Sequence, residues 1–175
     1  MNQTKSSSNR QSVILIGMPG AGKSTLGILL AKELGLDFLD TDVAIQVQEQ
    51  QTLQDILESR GYLELRAVEQ DVLLATDCHQ KVIATGGSAV YSEQGMDYLK
   101  SCGPVIYLEV PIEELRRRIH NYETRGIARR PDQSFEELFA ERAALYCKYA
   151  DITIHCGDHG PGEIIGQILE ALDAL

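Results

Sequence analysis

Gly17-Met18-Pro19-Gly20-Ala21-Gly22-Lys23-Ser24 is the stretch on which the fold turns. It fits the pattern GxxxxGK[ST] in full. An apolar run, Val13 to Ile16, precedes it, and a segment with Leu26, Leu29, Leu30 and Leu34 at helical spacing follows. A strand, a glycine-rich turn and a helix in that order make a phosphate cradle. Glycines let successive backbone N–H groups turn inward and approach phosphate oxygens with no Cβ in the way. The helix adds the positive end of its dipole. The expected nucleotide-binding residues are therefore Gly20, Ala21, Gly22, Lys23, Ser24 and Thr25. Lys23 is placed to reach the β- and γ-phosphates of ATP, and the Ser24 hydroxyl to ligate Mg²⁺.

Outward from the cradle, short apolar runs alternate with helical patterns, which predicts parallel βαβ units and an α/β fold. Gly35 stands where the first helix should stop. Asp37 to Asp40 is a second strand, Val82 to Thr85 a third, Val105 to Val110 a fourth and Ile152 to His155 a fifth. Thr52 to Gly61 and Tyr62 to Thr76 read as helices. Pro111 suits the first residue of a helix with Glu113 and Glu114 early and Arg116 to Arg118 late, the charge order its dipole favours. Ser134-Phe135-Glu136-Glu137 is a capping box, and Pro161 to Leu172 is an amphipathic last helix. Parallel sheets of this kind bind ligands at the carboxyl ends of their strands. The glycine-rich turn, Asp40-Thr41-Asp42 and Gly86-Gly87 all fall there, so they should share one crevice.

The 175 residues, 43% hydrophobic and 24% charged, suit one globular domain over residues 12–175, after a polar, Ser-rich, disordered tail over 1–11. Sixteen basic and 26 acidic residues leave a formal charge of −10. That surface disfavours nucleic acid and anionic membranes as partners, and no apolar run approaches the roughly 18 residues of a membrane span. A cytoplasmic monomer is expected. Cys78, Cys102, Cys147 and Cys156 show no paired spacing and read as reduced thiols. His155-Cys156-Gly157-Asp158-His159 reads as a strand end running into a turn rather than a zinc site, since no second ligand pair stands elsewhere.

Several charged residues fall where chemistry would need them. Asp40 and Asp42, two apart in an extended stretch, would point the same way. One would hold magnesium and the other accept a substrate hydroxyl and its proton; the alternative is a helix cap rich in Asp and Thr. Arg66 shares a helical face with Tyr62, Glu69 and Leu73, and serves either a ligand or an ion pair with Glu69. Arg142 interrupts the apolar stripe Phe135, Leu138, Phe139, Leu145, Tyr146 and Tyr149, so its guanidinium either lies over the core or meets an anion. Arg116, Arg117, Arg118, Arg125, Arg129 and Arg130 crowd a stretch whose only acid is Glu123. The last three lie in a loop suited to a lid, where an arginine can stabilise charge on a transferring phosphoryl group. No NKxD or DxxG string accompanies the cradle, which sets GTPases aside.

Taken together, these residues resemble the shikimate kinases, in the nucleoside-monophosphate-kinase branch of P-loop folds. The matching pieces are the phosphate cradle, Phe38-Leu39-Asp40-Thr41-Asp42, Arg66 ahead of Glu69, Ala84-Thr85-Gly86-Gly87, Arg130-Pro131, and Glu141-Arg142 before Leu145-Tyr146. The resemblance implies a three-layer α/β/α fold with a five-stranded parallel sheet of order 2-3-1-4-5, a helical substrate-binding region about 42–77 and a mobile lid about 121–133. It implies phosphorylation of the 3-hydroxyl of shikimate by ATP, in the pathway to chorismate and the aromatic amino acids. Lys23 and Asp42 would be catalytic, Asp40 would join Ser24 on Mg²⁺, and Arg66 and Arg142 would clamp the substrate carboxylate. Gly86 and Gly87 would offer N–H groups to substrate oxygens, and Arg130 or Arg125 would be the lid arginine. Three features depart from the family pattern: Ser88 replaces a third glycine, Asp132-Gln133 follows Arg130-Pro131, and Ala143-Ala144 stands where a proline is usual. A kinase for another hydroxy-acid, such as gluconate, and a nucleotide-binding regulator without turnover are the alternatives.

Overall fold

The apolar run ahead of the cradle forms the central strand of a sheet. In the computed structural model, which describes residues 11–120 and 122–175, β1 (Val13–Ile16) has every residue buried. Residues 1–10 of the expected tail and Asn121 of the expected lid lie outside the described residues. β1 is flanked by β3 (Lys81–Ala84) and β4 (Val105–Glu109), with β2 (Asp37–Asp40) and β5 (Ile152–His155) at the edges. All pairings are parallel and the order is β2-β3-β1-β4-β5. Ile14 stands beside Ile83 on one side and Val105 on the other, so the middle of the sheet is apolar on both faces. The edge strands carry the exposed positions Asp37, Thr153 and His155.

Helices cover both faces. α1 (Lys23–Leu34) and α8 (Pro161–Asp173) pack against each other on one. α4 (Tyr62–Ala75), α5 (Glu93–Cys102) and α7 (Phe135–Tyr149) gather around the 3₁₀ turn Ala89–Tyr91 on the other. α1 ends at Gly35 in the left-handed conformation, φ 66°, and α7 opens on the reciprocal Ser134–Glu137 capping box. Among the described residues no helix is long and apolar enough to cross a membrane.

Two helices fall outside the segments read as helical from the sequence. α2 (Thr41–Glu49) alternates Thr41, Val43, Ile45 and Val47, a strand-like spacing of β-branched residues with poor helix propensity. Tertiary packing decides it, because Ile45 enters a second, smaller core with Ile56, Leu65, Val68 and Val72. That core lies among α2, α3 (Leu53–Arg60) and α4. α5 starts at the Ser92 cap, whose hydroxyl accepts the Gly95 N–H at 2.9 Å.

Three expectations are corrected. Asp40 and Asp42 are not alternating residues of one extended stretch: Asp40 caps α2 by accepting the N–H groups of Asp42 (2.9 Å) and Val43 (3.4 Å), so Asp42 lies in the first helical turn. Pro111 is the cap of α6 (Ile112–Arg118), not its first residue. Cys78 and Cys102 are not reduced thiols but a disulfide with Cα atoms 5.7 Å apart. The packing of α5 on α4 brings these distant positions together, a pairing their spacing did not announce. Cys156 is buried where β5 turns, Cys147 is exposed, and both are free. His155 and His159 pair with Glu109 and Glu163.

The carboxyl ends of β2 and β3 are fastened by one side chain. Thr41 has no exposed surface, and its hydroxyl accepts the buried Gly86 N–H at 3.0 Å. Thr41→Val would strand that donor and is expected to cost about 1–3 kcal/mol of stability in urea denaturation. Thr41→Ser, which keeps the acceptor, should retain most of it.

Candidate active site

A cavity of about 300 Å³ opens at the carboxyl ends of the strands. The cradle forms one wall, through Gly20, Gly22, Lys23, Ser24 and Thr25. Asp42, Glu69, Gly87, Ser88 and Arg142 form the other, and Arg125 to Ala128 close it from the lid side. The three segments expected to share a crevice therefore do so.

On the phosphate side, Lys23 is 8% exposed and donates to the carbonyls of Gly17 (2.7 Å) and Met18 (2.9 Å). The loop thus holds its own lysine at the place where a phosphate oxygen would take over those hydrogen bonds. Burial lowers the ammonium pKa to about 8, and the negative charges of Asp42 and Asp40 oppose the shift. The Ser24 hydroxyl donates to Asp40, so the two expected metal ligands already touch. They are hard oxygen donors, few in number, which suits a Mg²⁺ ion that keeps waters and phosphate oxygens in its shell.

On the acceptor side, two carboxylates press against Gly86. A Cβ built there would lie 2.2 Å from Glu69 Oε1 and 2.6 Å from Asp42 Oδ1. The Gly86 N–H is already donated to Thr41, so what this residue gives the cavity is room. Gly87 is equally confined, since its Cβ would lie 2.7 Å from Arg142 Nη1 and 2.8 Å from Pro19 Cδ. Its carbonyl accepts the Tyr146 hydroxyl at 2.6 Å. Asp42, desolvated beside Glu69, has its pKa raised, with Lys23 pulling the other way.

The basic residues divide. Arg142 is 1% exposed, and its Nη2 donates to the Ala128 carbonyl at 2.8 Å. Arg66 does not line the cavity itself; it lies over the Tyr91 ring at 3.5 Å and reaches the same Ala128 carbonyl at 3.3 Å. The two arginines expected to act together are thus brought together, on a backbone oxygen. Arg125 lines the cavity. Arg130 lies outside it, exposed and paired with Glu141 at 2.9 Å. Arg116 pairs with Glu113 and Glu136, Arg117 and Arg118 both pair with Glu114, and Arg118 also borders the cavity.

Glu69 is the site residue the sequence undersold. It appeared there as an ion-pair partner for Arg66 and a piece of the family resemblance with no role of its own, yet it is 3% exposed and accepts the Ser88 hydroxyl. Its place on the same helical face as Arg66 was the available signal. Burial first, then the charge of Asp42, push its carboxyl from 4.5 up to about 7. The folded chain therefore holds this proton through a range in which the unfolded chain has lost it, so stability falls as pH rises from about 4.5 through 7. Against a Glu69→Gln variant, the wild-type chain is expected to lose on the order of 2–3 kcal/mol between pH 5 and pH 8, read from urea denaturation at the two pH values.

The sequence model of the family described as shikimate kinase matches residues 19–173. The chain is 37% identical over 162 residues to the shikimate kinase of Mycobacterium bovis (strain BCG / Pasteur 1173P2), covering 91% of this chain and 92% of that one. It is 35% identical over 167 residues to shikimate kinase 2 of Serratia proteamaculans, covering 93% and 95%. The solved structure of Acinetobacter baumannii shikimate kinase in complex with shikimate superposes with a TM-score of 0.85 at 31% identity, over 94% of this chain and 93% of that chain. With the cradle, the sheet order and the facing acceptor wall in place, these matches establish that the chain belongs to the shikimate kinase family.

Proposed function

We propose that this cleft performs the ATP-dependent phosphorylation of shikimate at its 3-hydroxyl, with Lys23 and Arg125 acting on the phosphoryl group and Asp42, Glu69, Arg66 and Arg142 on the acceptor. One observation carries the acceptor assignment. Among the described residues, Arg66 Nε, Arg142 Nε and Glu69 Oε1 are buried polar atoms without a hydrogen-bond partner. Buried polar groups are ordinarily satisfied, so the unpaired Arg142 Nε and Glu69 Oε1, on two residues that line the cavity, ask for a ligand, with the Arg66 charge beside them on the same Ala128 carbonyl. A small molecule with a carboxylate at one end and hydroxyls at the other supplies both. Arginine suits the carboxylate because its planar fork binds two oxygens at once.

The chemistry then follows from position. In phosphoryl transfer the protein mainly aligns the reactants and neutralises charge. Lys23 exchanges the Gly17 and Met18 carbonyls for phosphate oxygens. Asp42, its pKa raised by burial, is a better proton acceptor than a solvated carboxylate and lies against Gly86 where the acceptor hydroxyl would sit. Ser24 and Asp40 would hold Mg²⁺, which when bound would supply positive charge to offset that of the phosphates. Arg125 rather than Arg130 is the lid arginine of this reading, because it shares the cavity with Lys23 while Arg130 is engaged by Glu141.

Ser88 is the observation that favours another hydroxy-acid, since its side chain enters the acceptor wall at a position where the family pattern has glycine. The test is acceptor-dependent ADP release with MgATP and a panel containing shikimate and gluconate. Turnover on shikimate supports the reading; turnover only on gluconate replaces the acceptor, and nucleotide binding with no acceptor-dependent turnover overturns it. Lys23→Ala should lower kcat by at least about 100-fold. Arg142→Lys, which keeps the charge but loses the fork, should raise the shikimate KM about tenfold or more with a smaller effect on kcat. Arg125→Ala should lower kcat by about 10³ and Arg130→Ala by no more than a few-fold.

A further inference from the structure

The lid segment Arg125-Gly126-Ile127-Ala128 is fastened at two points. At one end, the Ala128 carbonyl receives Arg142 and Arg66, and the Ala128 side chain sits in the small core with Ile45 and Ile56. At the other, the Gly126 N–H donates to the side-chain oxygen of Gln54 at 2.8 Å. The fit there is close. Gly126 has φ +68°, and a Cβ on it would lie 2.6 Å from Leu53 Cβ and 2.8 Å from the Gln54 backbone nitrogen. Gln54 is itself held in orientation, because its amide nitrogen donates to Glu58 one turn along α3 at 2.7 Å.

We propose that Gln54 is a positioning residue for phosphoryl transfer: by accepting the Gly126 N–H it sets the lid backbone so that the adjacent Arg125 faces the phosphoryl group. A single fastening at Ala128 would leave Arg125 three residues out on a pivot. The second, next to Arg125 itself, fixes both its height and its direction over the cavity. Displacements of about 1 Å in such groups cost up to 10²-fold in rate, so one hydrogen bond distant from the substrate is enough to matter. Gln54 is not a catalytic residue, since it touches the lid and not the cavity contents. Its role rests on the assignment of Arg125 made above.

The test compares Gln54→Met, which keeps the length of the side chain but cannot accept the N–H effectively, with the double variant Gln54→Glu/Glu58→Gln, which can accept it and keeps an amide–carboxylate pair along α3. Each is made in the wild-type and Arg125→Ala backgrounds and assayed with MgATP and shikimate. Gln54→Met is expected to lower kcat about tenfold, with the KM values for shikimate and ATP within about threefold of wild type and the melting temperature little changed. The double variant should keep most of kcat. In the Arg125→Ala background Gln54→Met should have almost no further effect, because the group it positions is gone. An unchanged kcat in Gln54→Met beside a defective Arg125→Ala overturns the proposal alone. So does an equal loss in both backgrounds, or a double variant as slow as Gln54→Met. If Arg125→Ala turns over like wild type, the assignment of Arg125 fails first and the role of Gln54 falls with it.

Discussion

Arg142 brings a permanently charged guanidinium to a place with 1% of its surface exposed. Burying an ion costs several kcal/mol unless dipoles and opposite charges surround it, and the acceptor wall is arranged around that requirement. The Ala128 carbonyl turns inward to receive Nη2, Gly87 stays without a side chain so that Nη1 can approach, and the Tyr91 ring lies 5.6 Å from the guanidinium carbon. Glu69 and Asp42 lie nearby, where desolvation raises the pKa of both carboxyls. Arg142 Nε and Glu69 Oε1 stay buried without a hydrogen-bond partner, and the proposed function assigns them to the acceptor.

The distribution of charge reconciles an acidic chain with two anionic substrates. The net charge of −10 belongs to the surface as a whole, where the arginines of α6 are neutralised by Glu113, Glu114 and Glu136. Lys23, Arg125 and Arg142 instead line one small cavity, where the charges of the buried Lys23 and Arg142 act through a lower dielectric than water. Burial draws the Lys23 ammonium pKa down to about 8 even as it donates to the Gly17 and Met18 carbonyls.

Much of this was legible in the sequence, and what was not has physical causes. The strand–cradle–helix order and the other four strands could be read because a parallel sheet covered on both faces needs short, unbroken apolar runs. Arg142 could be read because a charge within an apolar stripe demands an explanation. α2 could not, because its β-branched alternation argues for strand and only packing of Ile45 on α4 reverses it. The Cys78–Cys102 bond and the Thr41–Gly86 contact depend on segments brought together by the sheet, and sequence spacing holds no trace of them. Glu69 was visible by its helical face but not by its burial. The choice between Arg125 and Arg130 turns on which way a loop leans, and its neighbours Gln54 and Glu141 lie on other elements, α3 and α7, with Gln54 far away in the chain.

The shared fastening of Arg66 and Arg142 on the Ala128 carbonyl makes the acceptor pocket and the lid parts of one thermodynamic cycle. Any ligand that changes how firmly those guanidinium groups hold the carbonyl changes the order of the lid by some free energy. By reciprocity the order of the lid changes that ligand's affinity by the same amount. Under the proposed function, affinity for the acceptor carboxylate and the order of the Arg125–Ala128 segment are therefore not separable properties. A change in apparent acceptor binding carries a contribution from loop order, and a substitution confined to the loop will register as a change in affinity for a molecule it never touches.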